Sequence, residues 1–193
     1  MSYRQGWIWL LLAAGVWLPA SARAAEAHVH GIGKLDVIAE GADLTLRLES
    51  PLDNLVGFER APRNAKEQAA VRRMAAALRS EKAFVPTRAA QCRLSGVSLE
   101  SPVLNDELLG NSPPPAGQAH AKDAHEAKHG HGKEHADLVA DYTFQCGDPA
   151  ALVGLEARLF DTFKALERLD VQVVGPRGQT GAKLTPDSRR VSW

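Results

Sequence analysis

Seven histidines occur in 193 residues, and they are unevenly placed. His120, His125, His129, His131 and His135 share one short tract, His28 and His30 lie near the start, and the rest of the chain has none. Neutral imidazole is a borderline ligand suited to Zn(II), Cu(II) and Ni(II), and with an unperturbed pKa of about 6.5 it can bind at neutral pH. His125 with His129, and His131 with His135, are i, i+4 pairs that share a face if metal draws the segment into helical turns. His129-Gly130-His131 can chelate from a loop. Asp123, Glu126, Glu134 and Asp137 supply carboxylates to complete a tetrahedral shell or to hold the second imidazole nitrogen. These features point to metal binding, with Zn(II) the expected ion. Copper and nickel compete for the same donors, since the Irving–Williams order favours copper.

His28 and His30 form a second candidate pair. In a strand running from Ala27 to Val37 both imidazoles would project from one face, able to share an ion with a third ligand from a neighbour. An enzymatic reading is weaker. His131-Gly132-Lys133-Glu134-His135 matches the H-x-x-E-H pattern of a metalloprotease class, but that motif works on a buried helix, which Gly130 and Gly132 argue against. A nucleophilic triad needs a histidine in the folded body, where only His28 and His30 are candidates. No catalytic activity is expected.

The elements that must position these residues begin with an export signal. Arg4, the apolar run Gly6 to Leu18 and Ala22-Arg23-Ala24 read as a secretory signal peptide over residues 1–24, too short in its apolar core for a membrane span. The expected location is the periplasm, with residues 25–193 as one domain. Cleavage after Ala25 instead would put His28 third from a free amine, an arrangement that suits copper or nickel. The chain carries 23 basic and 23 acidic residues, and losing Arg4 and Arg23 leaves a slight acidic excess. That balance gives no footprint for nucleic acid or stable membrane association.

The two cysteines, Cys92 and Cys146, are expected to pair in an oxidising compartment, with a bridge worth up to about 4 kcal/mol in the chain-entropy model. The bridge would also tie together the ends of the insertion that holds the tract. Thiolate metal ligation is the weaker reading.

Alternating apolar residues predict a β-hairpin over Val29 to Leu48 with a turn at Glu40 to Asp43, and strands over Cys92 to Leu99 (bulged at Gly96), Leu138 to Cys146, Leu169 to Val173 and through Leu184. Asn64 and Glu67 resemble a capping box opening a helix from about 64 to 80. Asp148, Pro149 and the stripe Leu152, Leu155, Leu159, Phe163, Leu166 predict a second amphipathic helix, from about 149 to 166. The fold class is α+β, a mostly antiparallel β-sheet with two amphipathic helices. Residues 111–136, opening with Asn111-Ser112-Pro113-Pro114-Pro115 and almost devoid of apolar side chains, are expected to be a flexible, disordered His-rich loop.

His28-Val29-His30-Gly31, the hairpin after it, the segment Ser50-Pro51-Leu52-Asp53-Asn54-Leu55-Val56-Gly57-Phe58-Glu59-Arg60-Ala61-Pro62, the cysteine pair and the His-rich insertion together resemble the ZrgA-like periplasmic zinc-uptake family of proteobacteria. The resemblance covers essentially the whole mature chain. It implies a zinc-binding periplasmic protein, expressed when zinc is scarce, that assists a zinc ABC transporter or its solute-binding protein, with no catalysis. The residues alone leave a different reading open: an interaction protein whose sheet docks an envelope partner and whose His tract senses acidity. Asn54, Phe58, Glu59 and Arg60 suit either a structural corner or a partner surface.

Overall fold

Strict alternation of buried and exposed side chains organises the molecule, as a sheet with one wet face requires. The computed structural model describes residues 29–111 and 136–193. The expected signal peptide, His28 and the five tract histidines lie outside the described residues.

The elements are β1 (Ile32–Glu40), β2 (Asp43–Pro51), α1 (Asp53–Val56), α2 (Ala65–Leu78), β3 (Phe84–Pro86), β4 (Cys92–Glu100), α3 (Asp106–Leu109), β5 (Asp137–Cys146), β6 (Gly154–Ala157), α4 (Leu159–Thr162), β7 (Arg168–Gly175), β8 (Gly178–Leu184) and β9 (Arg190–Ser192). Six strands form the main sheet in the order β4-β5-β2-β1-β7-β8, and β3-β6-β9 form a small second sheet. All pairings are antiparallel except β1 with β7. The α+β, mostly antiparallel architecture expected from the sequence is the one observed.

Leu35, Val37, Leu44, Leu46, Leu48, Leu138, Tyr142, Leu169 and Val171 line the buried face of the main sheet. Phe84 of the second sheet meets the Tyr142 ring edge-to-face at 5.0 Å between centroids, a favoured aromatic geometry. α2 covers the same core with Val71, Met74, Ala75 and Leu78, the positions the helical spacing marks. Asn64 caps it by accepting from the Glu67 N–H at 3.0 Å. On the opposite, solvated face Asp36, Arg47 and Asp141 stand in one cross-strand row, and Arg47 pairs with Asp141 at 3.0 Å.

The expected helix over 149–166 does not form. Asp148 and Pro149 open only a single 3₁₀ turn, Pro149–Ala151. The chain then runs as β6 between β3 and β9, and helix returns for one turn at α4. Its apolar stripe is nonetheless core, since Leu152, Leu155, Leu159, Phe163 and Leu166 are all buried. Gly154 shows why pairing prevails: a Cβ there would lie 2.4 Å from the Val191 carbonyl oxygen, so the backbones of β6 and β9 approach where only glycine fits. Hydrogen bonds to two strands outweigh a modest helix propensity broken by Val153 and Gly154.

Two further expectations are corrected. Among the described residues the first strand starts at Ile32, because Val29 to Ile32 form a tight turn, so His30 stands in that turn and not in the strand expected over Ala27 to Val37, while Ala27 and His28 lie outside the described residues. The Cys92–Cys146 disulfide is present, and β4 carries the expected irregularity between Leu94 and Gly96. The bridge closes the end of the β4–β5 ladder remote from the His-rich insertion, which leaves and rejoins beyond the Glu100–Val139 pair.

The flanks of that insertion are held by other groups. Asn111 donates to the Leu99 carbonyl at 2.8 Å and accepts from Arg79 at 2.5 Å. Arg79 also donates to the Val97 and Leu109 carbonyls. On the returning side the Ala136 carbonyl accepts from the Leu52 N–H at 2.9 Å.

Candidate metal centre

His30 is the one candidate histidine among the described residues, and the turn that carries it is fixed from three directions. The Ile32 N–H donates to the Val29 carbonyl at 3.1 Å. Gly31, third residue of the turn, has φ +81°, a left-handed conformation that glycine adopts without the clash a Cβ brings. A Cβ at Gly31 would also sit 3.1 Å from the Glu167 carboxyl carbon. The Gly31 carbonyl accepts from the backbone N–H groups of Glu167 and Arg168 at 2.7 and 2.9 Å, which attaches the turn to the start of β7.

The third anchor is Asn54, whose role the sequence left undecided. It is 2 % exposed. Its Oδ1 accepts from the Gly31 N–H at 2.6 Å, and its Nδ2 donates to the Ile32 carbonyl and to Ser50 Oγ, each at 3.1 Å. A primary amide can accept and donate at once, which is what these unlike partners need. α1 presents Asn54 inward because Leu52 before it is fully buried and Gly57 ends the helix in a left-handed cap.

The segment after α1 brings carboxylates to the imidazole. Glu59 Oε1 is 2.9 Å from His30 Nε2, and Asp53 Oδ2 is 3.9 Å from His30 Nδ1. Glu59 is largely covered, whereas His30 is well exposed. Arg60 lies over the Phe58 ring at 5.0 Å and pairs with Glu67 through both terminal nitrogens, at 2.7 and 2.9 Å. Glu67 also accepts from the Arg63 N–H at 2.7 Å. The guanidinium, followed by that N–H, holds the Glu67 carboxyl down at about 2. Phe58, Glu59 and Arg60 thus form a structural corner with Glu59 turned to His30.

Sequence reasoning named His30 and Glu59 without joining them, and it did not single out Asp53. The available signal was spacing: Asp53 and Glu59 flank Asn54, the residue that binds the histidine turn. Among the described residues no three His, Cys, Asp or Glu side chains are converged on one ion-sized position.

The corner and the insertion occupy the same end of the sheet. Lys34 of β1, Glu49 of β2, Val139 of β5 and Glu100 of β4 stand in one cross-strand row. The His30 turn precedes Lys34 by four residues, and the insertion lies beyond Glu100 and ahead of Val139. With strands about 4.8 Å apart, the roots on β1 and β5 are about 10 Å from each other.

The model of the ZrgA family of zinc uptake proteins matches residues 27–193, and the chain belongs to that family. No curated protein matches it.

Proposed function

We propose that this member of a zinc uptake family is a periplasmic protein that captures or buffers Zn(II) and assists high-affinity uptake by an ABC transporter. In this reading residues 1–24 direct export and are removed, leaving residues 25–193 as a single metal-binding domain. His120, His125, His129, His131 and His135 are the principal ligands, with His28 and His30 as a second group. The chain carries its cargo and performs no catalysis.

The observation that carries the reading is the concentration of five histidines in one insertion of a chain that belongs to this family. The fold adds support. Both flanks of the insertion are pinned by Arg79, Asn111 and the Leu52 N–H, so metal can be taken up and released there without disturbing the core. Imidazole and carboxylate donors can bind zinc without a rigid cage, which suits a carrier that must give up its ion.

The test is equilibrium dialysis of the mature chain against Zn(II) with elemental analysis, beside a full-length variant in which the five tract histidines are alanine. Stoichiometric zinc that falls sharply in the variant is the expected result. An unloaded wild-type chain overturns the reading.

A further inference from the structure

We propose that a groove on the outer face of the β3–β6–β9 sheet binds a small polyanion, a molecule with two or more carboxylate or phosphate groups, through Arg88, Arg158 and Arg190. The site shares no residue with the metal ligands named above and does not depend on the zinc reading.

The strand registers build it. Phe84, Leu155, Ala157 and Val191 turn into the core, so Val85, Glu156 and Arg190, which stand opposite one another in one cross-strand row, turn outward. Next along, Thr87 donates through its N–H and its Oγ1 to the Gly154 carbonyl, each at 2.9 Å, and Gly154 stands opposite Ser192. Gly154 brings no side chain. The two rows, with Arg88 and Arg158, line a groove of about 330 Å³, a volume that suits a small ligand.

Charge sets the class of that ligand. Among the described residues Glu156 is the one carboxylate lining the groove, against three guanidiniums. The groove is therefore positive on a chain whose 23 basic and 23 acidic residues balance, and a cleft lined by one sign of charge concentrates ions of the other.

Glu156 positions the arginines more than it neutralises them. Its Oε1 accepts from Arg158 Nε at 2.8 Å, and its Oε2 accepts from Arg190 Nε and Nη2, each at 3.1 Å. Arg158 first, and then Arg190, hold its carboxyl below the usual carboxylate range. These contacts use only one edge of each guanidinium. Both terminal nitrogens of Arg158 and Nη1 of Arg190 have no hydrogen-bond partner among the described residues. Arg88, on the single turn Arg88–Ala90 that follows β3, is exposed and has no ion pair among the described residues. A planar guanidinium gives two parallel N–H donors to one carboxylate or phosphate, so three of them on one groove favour a ligand with more than one such group.

The experiment is isothermal titration calorimetry of the metal-free, full-length chain with citrate, with inorganic pyrophosphate and with acetate, at about 0.15 M ionic strength to screen diffuse surface charge. One equivalent of citrate or pyrophosphate is expected to bind, the probe that binds tighter telling carboxylate from phosphate preference, and acetate should bind at least about 100-fold more weakly. Arg88→Ala and Arg190→Ala should each weaken binding roughly 10-fold or more, the scale of a lost charged hydrogen bond. Arg72→Ala, which removes an exposed arginine of α2 outside the groove, should leave binding unchanged. Glu156→Gln removes a negative charge yet should weaken binding, because the guanidiniums lose their common anchor. Far-ultraviolet circular dichroism reports that each variant is folded.

No binding of either polyanion overturns the proposal. So does binding that ignores Arg88→Ala and Arg190→Ala, or that falls equally with Arg72→Ala. Acetate bound as tightly as citrate overturns the polyanion assignment, and tighter binding by Glu156→Gln overturns the positioning role of Glu156.

Discussion

Asn54 Oδ1 accepts a hydrogen bond from the Gly31 N–H at 2.6 Å, joining the end of the β1–β2 hairpin to its own beginning. The same side chain serves the Ile32 carbonyl and Ser50 Oγ, so its loss leaves several buried polar groups unpaired at once. Asn54→Ala is expected to destabilise the protein by about 3 kcal/mol, since each orphaned buried group costs roughly 1–3 kcal/mol. Urea denaturation of the two proteins measures this, and a change under about 1 kcal/mol would mean that water replaces the amide.

The Cys92–Cys146 bridge spans a sequence separation of 54 residues. Replacing both cysteines by serine should cost up to about 4 kcal/mol, chiefly through the unfolded chain. Because the bridge is remote from the insertion, the same variant should bind zinc with the wild-type stoichiometry while it remains folded. Denaturation with and without reductant, followed by metal analysis, separates these two effects.

Glu67 gives a pH signature. Its carboxyl titrates at about 2 against an ordinary value of 4.5 because Arg60 and the Arg63 N–H favour the charged form. A lowered folded-state value contributes stability that is complete above about 4.5 and is lost as the pH falls towards 2. Glu67→Gln should therefore flatten the pH dependence of stability within that window and leave it unchanged from pH 6 to 8. Denaturation midpoints across the range supply the comparison.

Gly154 tests the correction to the fold. Alanine would be accepted, or even favoured, if this segment were helical, but against the Val191 carbonyl it meets backbone that cannot move aside cheaply. Gly154→Ala should destabilise by about 2 kcal/mol, in the range of overpacked sites. A neutral or stabilising effect in thermal unfolding would contradict the β6–β9 pairing.

The strands were legible where one face is wet. Leu35 and Val37, Leu44 to Leu48, and Leu138 to Phe144 alternate because each is half of an amphipathic sheet, and such alternation needs no partner to be read. The segment 152–166 was misread because its leucines satisfy two periods: Leu155 and Ala157 fit a strand, while Leu152, Leu155 and Leu159 fit a helix. Only the remote Phe84–Pro86 and Arg190–Ser192 decide between them, and three-residue strands leave almost no trace in a sequence. For the site, the chemistry of His30 was legible from residue type alone. Its partners were not, since Asp53 and Glu59 come within reach only through the β1–β2 hairpin and the Asn54 clamp.

The cross-strand row Lys34, Glu49, Val139, Glu100 gathers the His30 turn and both roots of the insertion at one end of the sheet, and this bears on kinetics. Should tract and corner both carry zinc, an ion passing from one to the other would never leave its own molecule. Its transfer would be a first-order process, with a half-time indifferent to how dilute the protein becomes, whereas exchange between separate carriers slows in proportion to their concentration. Where loaded chains are dilute, that difference in reaction order would let a lightly held ion settle before it is lost to the medium.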